Sequence, residues 1–264
     1  MHNGAIMPSD VASLVVTGEP YPVIRLTGML DAVSAPSVRS ALLDVLASQP
    51  EAVVIDVAGL SADATAVGVL RDVARETADW PAAHMVICGS GDVGLWQSTG
   101  LPVWPDRAGA FAALGAPDDG HHLRLDLEPV IGAARRAREL VTEACARWDC
   151  PELTGPACIV LTEMVNNVVA HARTPMTVML ARQEDRMSVA VRDRSATIPR
   201  FAGPVAVTSY GGRGLLLIDS VSSRWGHLTL DQGKVVWSLL RADTDEPDPR
   251  HHIHSAGMAD PARG

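Results

Sequence analysis

Leu161-Thr162-Glu163-Met164-Val165-Asn166-Asn167-Val168-Val169-Ala170-His171-Ala172 is the stretch that decides how this chain is read. Its spacing predicts a helix that runs to about Arg173 and is ended by Thr174-Pro175. On that helix Leu161, Met164, Val165, Val168 and Ala172 form one apolar stripe. Glu163, Asn167 and His171 succeed one another at i, i+4 steps on a neighbouring face. One face packs and the other is free for chemistry. A carboxylate and a carboxamide one turn apart suit a shared phosphate–Mg²⁺ site, with the amide oxygen of Asn167 as a hard-cation ligand and Glu163 polarising a water or an acceptor hydroxyl. An isolated E-x-x-x-N on a helix is more often a wet amphipathic face, so the weight falls on the residues downstream of the helix.

Three stations come after it in order. Val189-Ala190-Val191-Arg192-Asp193 is an alternating strand ending in a carboxylate that can meet an adenine amino group. Gly211-Gly212-Arg213-Gly214-Leu215 is a glycine-rich turn opening a helix, where backbone N–H groups can meet phosphates. Gly233-Lys234-Val235-Val236-Trp237 begins a closing strand. From about Leu123 to Leu240 this block resembles the Bergerat (GHKL) ATP-binding fold, and within it the small anti-sigma-factor serine/threonine kinases of bacteria. The resemblance implies ATP and Mg²⁺ as cofactors, Glu163 as catalytic base or hydroxyl-orienting residue, Asn167 as the Mg²⁺ ligand and Asp193 as the adenine reader. It also places nucleotide binding on Gly212, Arg213, Gly214 and Leu215. The adenine motif of that fold is D-x-G-x-G, whereas this chain has Asp193-Arg194-Ser195-Ala196-Thr197, with neither glycine. A threonine or similar polar group usually comes after the glycine of the closing strand. Here Lys234 stands there, read as a turn lysine at a strand edge or as a phosphate contact.

A chain of 264 residues accommodates two ordinary domains, and 47% hydrophobic residues give both a core. The net charge of −9 argues against a nucleic-acid surface, which needs clustered Lys and Arg. Cys88, Cys145, Cys150 and Cys158 lack C-x-x-C spacing and read as core thiols in a reducing compartment. With no basic start leading into an apolar run, and no apolar window approaching a membrane span, the expected location is cytoplasmic.

In the first half, Leu14–Val16 and Val23–Gly28 read as a hairpin, Ala35–Ser48 as a helix and Ala52–Val57 as a central strand. Gly59 to Thr65 reads as the turn into a helix through Ala66, Val69, Leu70, Val73 and Ala74, which puts Thr65 near a helix N-terminus. His84–Gly89 and Val103-Trp104 are further strands, and Arg107–Leu114 a closing helix. With Gly28-Met29-Leu30-Asp31 after the early strand and Asp63-Ala64-Thr65-Ala66 at the later helix, this order resembles a STAS domain, the fold of anti-sigma-factor antagonists. That family's helix opens with D-S-S-G, whose second serine accepts phosphate. Thr65 keeps a hydroxyl at that position and is the phosphoacceptor candidate, while Ala64 and Ala66 replace the first serine and the glycine. A first-turn threonine bonding a free backbone N–H is the alternative for Thr65.

The second half begins after the turn-rich 116–121. Pro129 suits the first turn of a helix to about Trp148, with Ile131, Ala134, Leu140, Val141 and Cys145 inward and Arg135, Arg136 and Arg138 outward. Thr177–Arg182 with Met187–Arg192, and His227–Leu230 with Lys234–Leu240, read as antiparallel pairs. Ile198 to Tyr210 reads as a short lid, and Leu215 to Trp225 as a helix.

The expected organisation is therefore a flexible start over 1–10, a STAS-like domain over 11–115, a linker over 116–121, a GHKL domain over 122–241 and a disordered tail over 242–264. The fold class is α/β in two α+β domains: a STAS-like sheet with helices, then an α/β sandwich on a mixed, mainly antiparallel sheet. Together the resemblances imply an ATP-binding, partner-switching regulator of sigma-factor activity whose second domain is a serine/threonine kinase acting on a STAS hydroxyl. Its partners would be a sigma factor or a STAS antagonist, with a homodimer compatible and no contact with nucleic acid or membrane. The alternative is a nucleotide-binding scaffold that transfers nothing.

Overall fold

The computed structural model describes residues 11–16, 18–81, 83–183, 185–197 and 213–242, and for Asp119, Gln183 and residues 213–216 the backbone alone. The expected start, lid and tail therefore lie outside the described residues, apart from Ala242. Two compact units divide between Asp118 and Asp119.

The first unit is built on a five-stranded sheet in sequential order. β1 (Ala12–Val16) pairs antiparallel with β2 (Val23–Leu30), and β2, β3 (Ala52–Ala62), β4 (His84–Cys88) and β5 (Val103–Trp104) run parallel. Four helices fill the connections: α1 (Ala35–Leu46), α2 (Gly68–Glu76), α3 (Val93–Gln97) and α4 (Arg107–Leu114). All six residues from Ala52 to Val57 are buried, as a parallel strand flanked by two others requires. β3 outruns its expected end at Val57. After a register shift between Arg25 and Thr27, Gly59 to Ala62 go on pairing with Thr27 to Leu30. The five-residue α3 has no sequence periodicity to announce it, and its signal is the Asp92 cap, which accepts the Leu95 N–H at 3.1 Å.

Asp56 is a buried carboxylate on β3. Arg107 at the start of α4 donates to its Oδ2 from Nε at 2.9 Å and from Nη2 at 2.7 Å, while Arg25 stands off at 3.6 Å. Arg107→Met should therefore leave a poorly paired buried charge and lower the stability of this unit by roughly 3 kcal/mol. Urea unfolding checks this, and an unchanged midpoint would show that the pair contributes nothing.

The second unit contains β6 (His122–Leu127), α5 (Ala133–Arg147), α6 (Thr154–Asn167), β7 (Met176–Gln183), β8 (Arg186–Asp193), α7 (Arg213–Val221), β9 (Arg224–Leu230) and β10 (Gly233–Arg241). Its sheet order is β6-β7-β8-β10-β9. The sequence allows a mixed sheet, but every pairing among the described residues is antiparallel. Two helices, not one, separate β6 from β7, and this second reversal turns β7 back against β6. Val178, Leu180, Val189, Val191 and Leu240 share one core with Ala137, Val141, Leu161, Met164 and Val165 from the helices.

Three expectations change here. α5 starts at Ala133, because Gly132 is left-handed (φ 100°) and breaks the helical path, so Pro129 lies in the preceding turn. Ile131 is consequently fully exposed instead of inward, and Val130 beside it is 58% exposed. α7 ends at Val221, since β9 already begins at Arg224. Finally, Pro151–Ala172 is, by length and composition, long and apolar enough to cross a membrane. It is a core helix: Leu153, Ala157, Val160, Leu161, Met164, Val165 and Val168 are all buried in the second unit.

Candidate functional site

α6 packs on β8 and β10 and beside α5 and α7. Its buried stripe is the one the spacing predicts, with Leu161, Met164, Val165 and Val168 at 4% exposure or less. Glu163 and Asn167, one turn apart, are half-buried, and neither makes a side-chain hydrogen bond or ion pair among the described residues. These are two hard oxygen donors on a rigid support with capacity left for a ligand. Among the described residues no group of three or more His, Cys, Asp or Glu could hold a metal ion. A Mg²⁺ here would arrive with phosphate oxygens, which suits an ion that keeps few protein ligands.

The α-helix ends at Asn167, and Val168–Ala172 continue as a π turn closed by the Arg173 N–H on the Val168 carbonyl at 2.7 Å. His171 lies in that π turn and is exposed, so the half-buried polar pair on α6 itself is Glu163 and Asn167. On the neighbouring α5, Arg138 Nη1 donates to Thr162 Oγ1 at 3.3 Å, which ties the basic face of that helix to the residue before Glu163.

Asp193 ends β8 and is 2% exposed. Its Oδ1 accepts the Ser195 N–H at 2.7 Å, closing an Asx turn in place of the absent glycines. Lys234 is not an edge lysine. It is 5% exposed, stands directly opposite Asp193 in the β8–β10 register, and its Nζ lies 3.0 Å from Oδ1 and 2.9 Å from Oδ2. Nζ also donates to the Ser195 carbonyl at 3.2 Å. The signal available in the sequence was a lone charge opening the apolar run Val235-Val236-Trp237. Burial, and then the Lys234 charge, holds the His227 imidazole below its ordinary range.

Gly212 lies outside the described residues. Arg213, Gly214 and Leu215 form the first turn of α7, which packs against α6. A cleft of about 1360 Å³ opens elsewhere on this unit, lined by Arg124, Val130, Ile131, Arg136 and Arg192 among others. It reaches Asp193 but not Glu163 or Asn167, so the geometry that carries the site is the α6 face.

In the first unit Thr65 is exposed, in the turn that leads into α2 and three residues before its first residue, Gly68. Its N–H and Oγ1 both donate to Asp63 Oδ1, at 2.9 and 3.0 Å. The cap residue of α2 is Val67, which makes no side-chain cap bond, so Thr65 does not cap that helix.

Residues 128–238 match the family model of the histidine kinase-like ATPase domain, and residues 13–93 that of the STAS domain. The chain joins a STAS domain to a histidine kinase-like ATPase domain. Glu163, Asn167, Asp193 and Lys234 all fall within the ATPase match, and Thr65 within the STAS match. Among the solved structures similar to part of the chain are two anti-sigma factor antagonists. One is an anti-sigma factor antagonist from Mycobacterium paratuberculosis, 23% identical over 40% of this chain and 96% of that one, with a TM-score of 0.36. The other is the anti-sigma factor antagonist SpoIIAA in its unphosphorylated form, 18% identical over 40% of this chain and all of that one, with a TM-score of 0.32. Among curated proteins, no sequence matches the chain. All four cysteines are free, and burial raises the Cys88 and Cys150 thiols of the two domains to about 11.

Proposed function

We propose that the protein is a cytoplasmic, ATP-dependent partner-switching regulator of sigma-factor activity, whose ATPase domain phosphorylates a STAS-domain hydroxyl. The observation that carries this is the pair Glu163 and Asn167, half-buried on one face of α6 with no partner among the described residues, in an ATPase-type domain. Mg²⁺ bound with the nucleotide would supply charge neutralisation at the phosphates. Asn167 would hold it through its amide oxygen, and backbone N–H groups at Gly212, Gly214 and the start of α7 would receive phosphate. Glu163 would orient the acceptor hydroxyl and take its proton. Arg213 and Leu215 belong to the same nucleotide-binding turn, and Asp193 to the base end of the pocket.

The acceptor we propose is Thr65, or the equivalent hydroxyl of a separate STAS protein. Phosphate on Thr65 would sit beside the Asp63 carboxylate, and repulsion would break both bonds that close the turn. That opening is the switch a partner would read, with a sigma factor or a STAS antagonist as that partner. A homodimer would have β6, the end strand of the sheet among the described residues, and exposed Val130 and Ile131 to build on. A second reading, a scaffold that holds nucleotide without transferring phosphate, is favoured by the acceptor turn, where Ala64 and Ala66 stand in place of the serine and glycine and the Thr65 hydroxyl is already bonded to Asp63.

Incubating the full chain with Mg²⁺ and γ-labelled ATP separates these readings. Label is expected on wild type and absent from Thr65→Ala, whose nucleotide binding is unchanged. Label that persists in Thr65→Ala would remove Thr65 as the acceptor. Binding without label on the chain or on an added STAS protein would favour the scaffold.

A further inference from the structure

We propose that Lys234 is a built-in occupant of the base-reading carboxylate: its ammonium takes the positions on Asp193 that the exocyclic amino group of adenine would use, so the base is held without its 6-amino group being read. The inference rests on the proposed nucleotide site and deepens it to the base specificity of that same site.

The geometry that points there is set by the sheet, not by a surface rotamer. Lys234 and Asp193 are cross-strand partners on β10 and β8, both are buried, and Nζ reaches both carboxylate oxygens. A carboxylate offers about four lone-pair positions. Lys234 takes one on each oxygen and the Ser195 N–H another on Oδ1, which leaves one on Oδ2, the oxygen the ammonium already holds at 2.9 Å. The three ammonium protons are matched by Oδ1, Oδ2 and the Ser195 carbonyl, so the charge of the carboxylate is already compensated. An adenine amino group is a donor like the ammonium. It gains nothing from Lys234 and competes with it for Asp193. Displacing Lys234 would trade a charged donor for a neutral one and leave the cation buried without its partner. Parting the strands to share the carboxylate would break the β8–β10 ladder, in which Lys234 and Asp193 are direct partners.

The test compares ATP with inosine triphosphate, which has the same phosphates and an oxo group in place of the 6-amino group, in Mg²⁺-containing calorimetric titrations of the full chain. Wild type is expected to bind the two within about threefold, whereas a carboxylate that reads the amino group would favour ATP by about tenfold or more. Lys234→Thr frees Asp193 and should raise ATP affinity about tenfold with little change for inosine triphosphate. Lys234→Met, which fills the buried position with no donor, serves if the threonine variant melts early. A wild type that already prefers ATP by about tenfold, or a folded variant that gains no ATP preference, overturns the inference and leaves nucleotide binding standing. If neither wild type nor a folded variant binds either nucleotide, the nucleotide reading itself fails, and this inference with it.

Discussion

Glu163→Gln is expected to leave the ATPase domain folded and its nucleotide bound while slowing label transfer by about 10²–10⁴-fold, the usual contribution of a positioned general base. The amide has nearly the same shape as the carboxylate, so packing is preserved. Glu163 is half-buried and outside the buried core of α6, and it holds no ion pair among the described residues that the substitution could break. The property lost is proton acceptance. Asn167→Ala should behave differently, weakening Mg²⁺-dependent nucleotide binding because it removes the proposed oxygen ligand. Single-turnover transfer for the first variant and calorimetric titration for the second separate the two roles. Wild-type transfer by Glu163→Gln would dismiss Glu163 as the base.

The second large effect is on stability. Gly233→Ala should destabilise the ATPase domain by roughly 3–5 kcal/mol, combining left-handed backbone strain with overpacking. Gly233 sits at φ 109°, and a Cβ there would strike the Asp193 carbonyl oxygen, with Arg194 Cα and the Asp193 carbonyl carbon at 2.7 and 2.8 Å. All three are backbone atoms, so no side chain can swing aside. Relief requires β8 and β10 to separate where Lys234 faces Asp193. A fall in Tm on the order of 10 °C or more is expected by calorimetry. Gly155→Ala in the first turn of α6, where a Cβ meets nothing within 4 Å, is the control and should melt as wild type does. Equal Tm values for the two variants would contradict the close approach of Gly233 to β8.

Much of both domains was legible because their elements are long and periodic. The α6 stripe, the β7–β8 and β9–β10 pairs and the central β3 arise from 3.6-residue and two-residue repeats that burial on one side enforces. Glu163 and Asn167 were legible for the same reason, since residues one turn apart on a regular helix share a face. The π turn over Val168–Ala172 was not, because the apolar spacing of that stretch reads as an unbroken helix. Ends failed for similar causes: Gly132 delayed α5, and pairing with β2 prolonged β3.

The sequence by itself determined the order of elements, the presence of two domains, a hydroxyl at Thr65 and a helix presenting a carboxylate beside a carboxamide. Each is a property of composition and spacing within a short window. Tertiary structure alone decided what those groups meet. Thr65 and Asp63 are near neighbours whose bond depends on the turn before α2, and Asp193 and Lys234 lie 41 residues apart until β8 and β10 pair. In the sequence Lys234 is one charge at the start of a strand. Only the register that puts it opposite Asp193, both residues buried, makes the proposed base-reading carboxylate half of an ion pair.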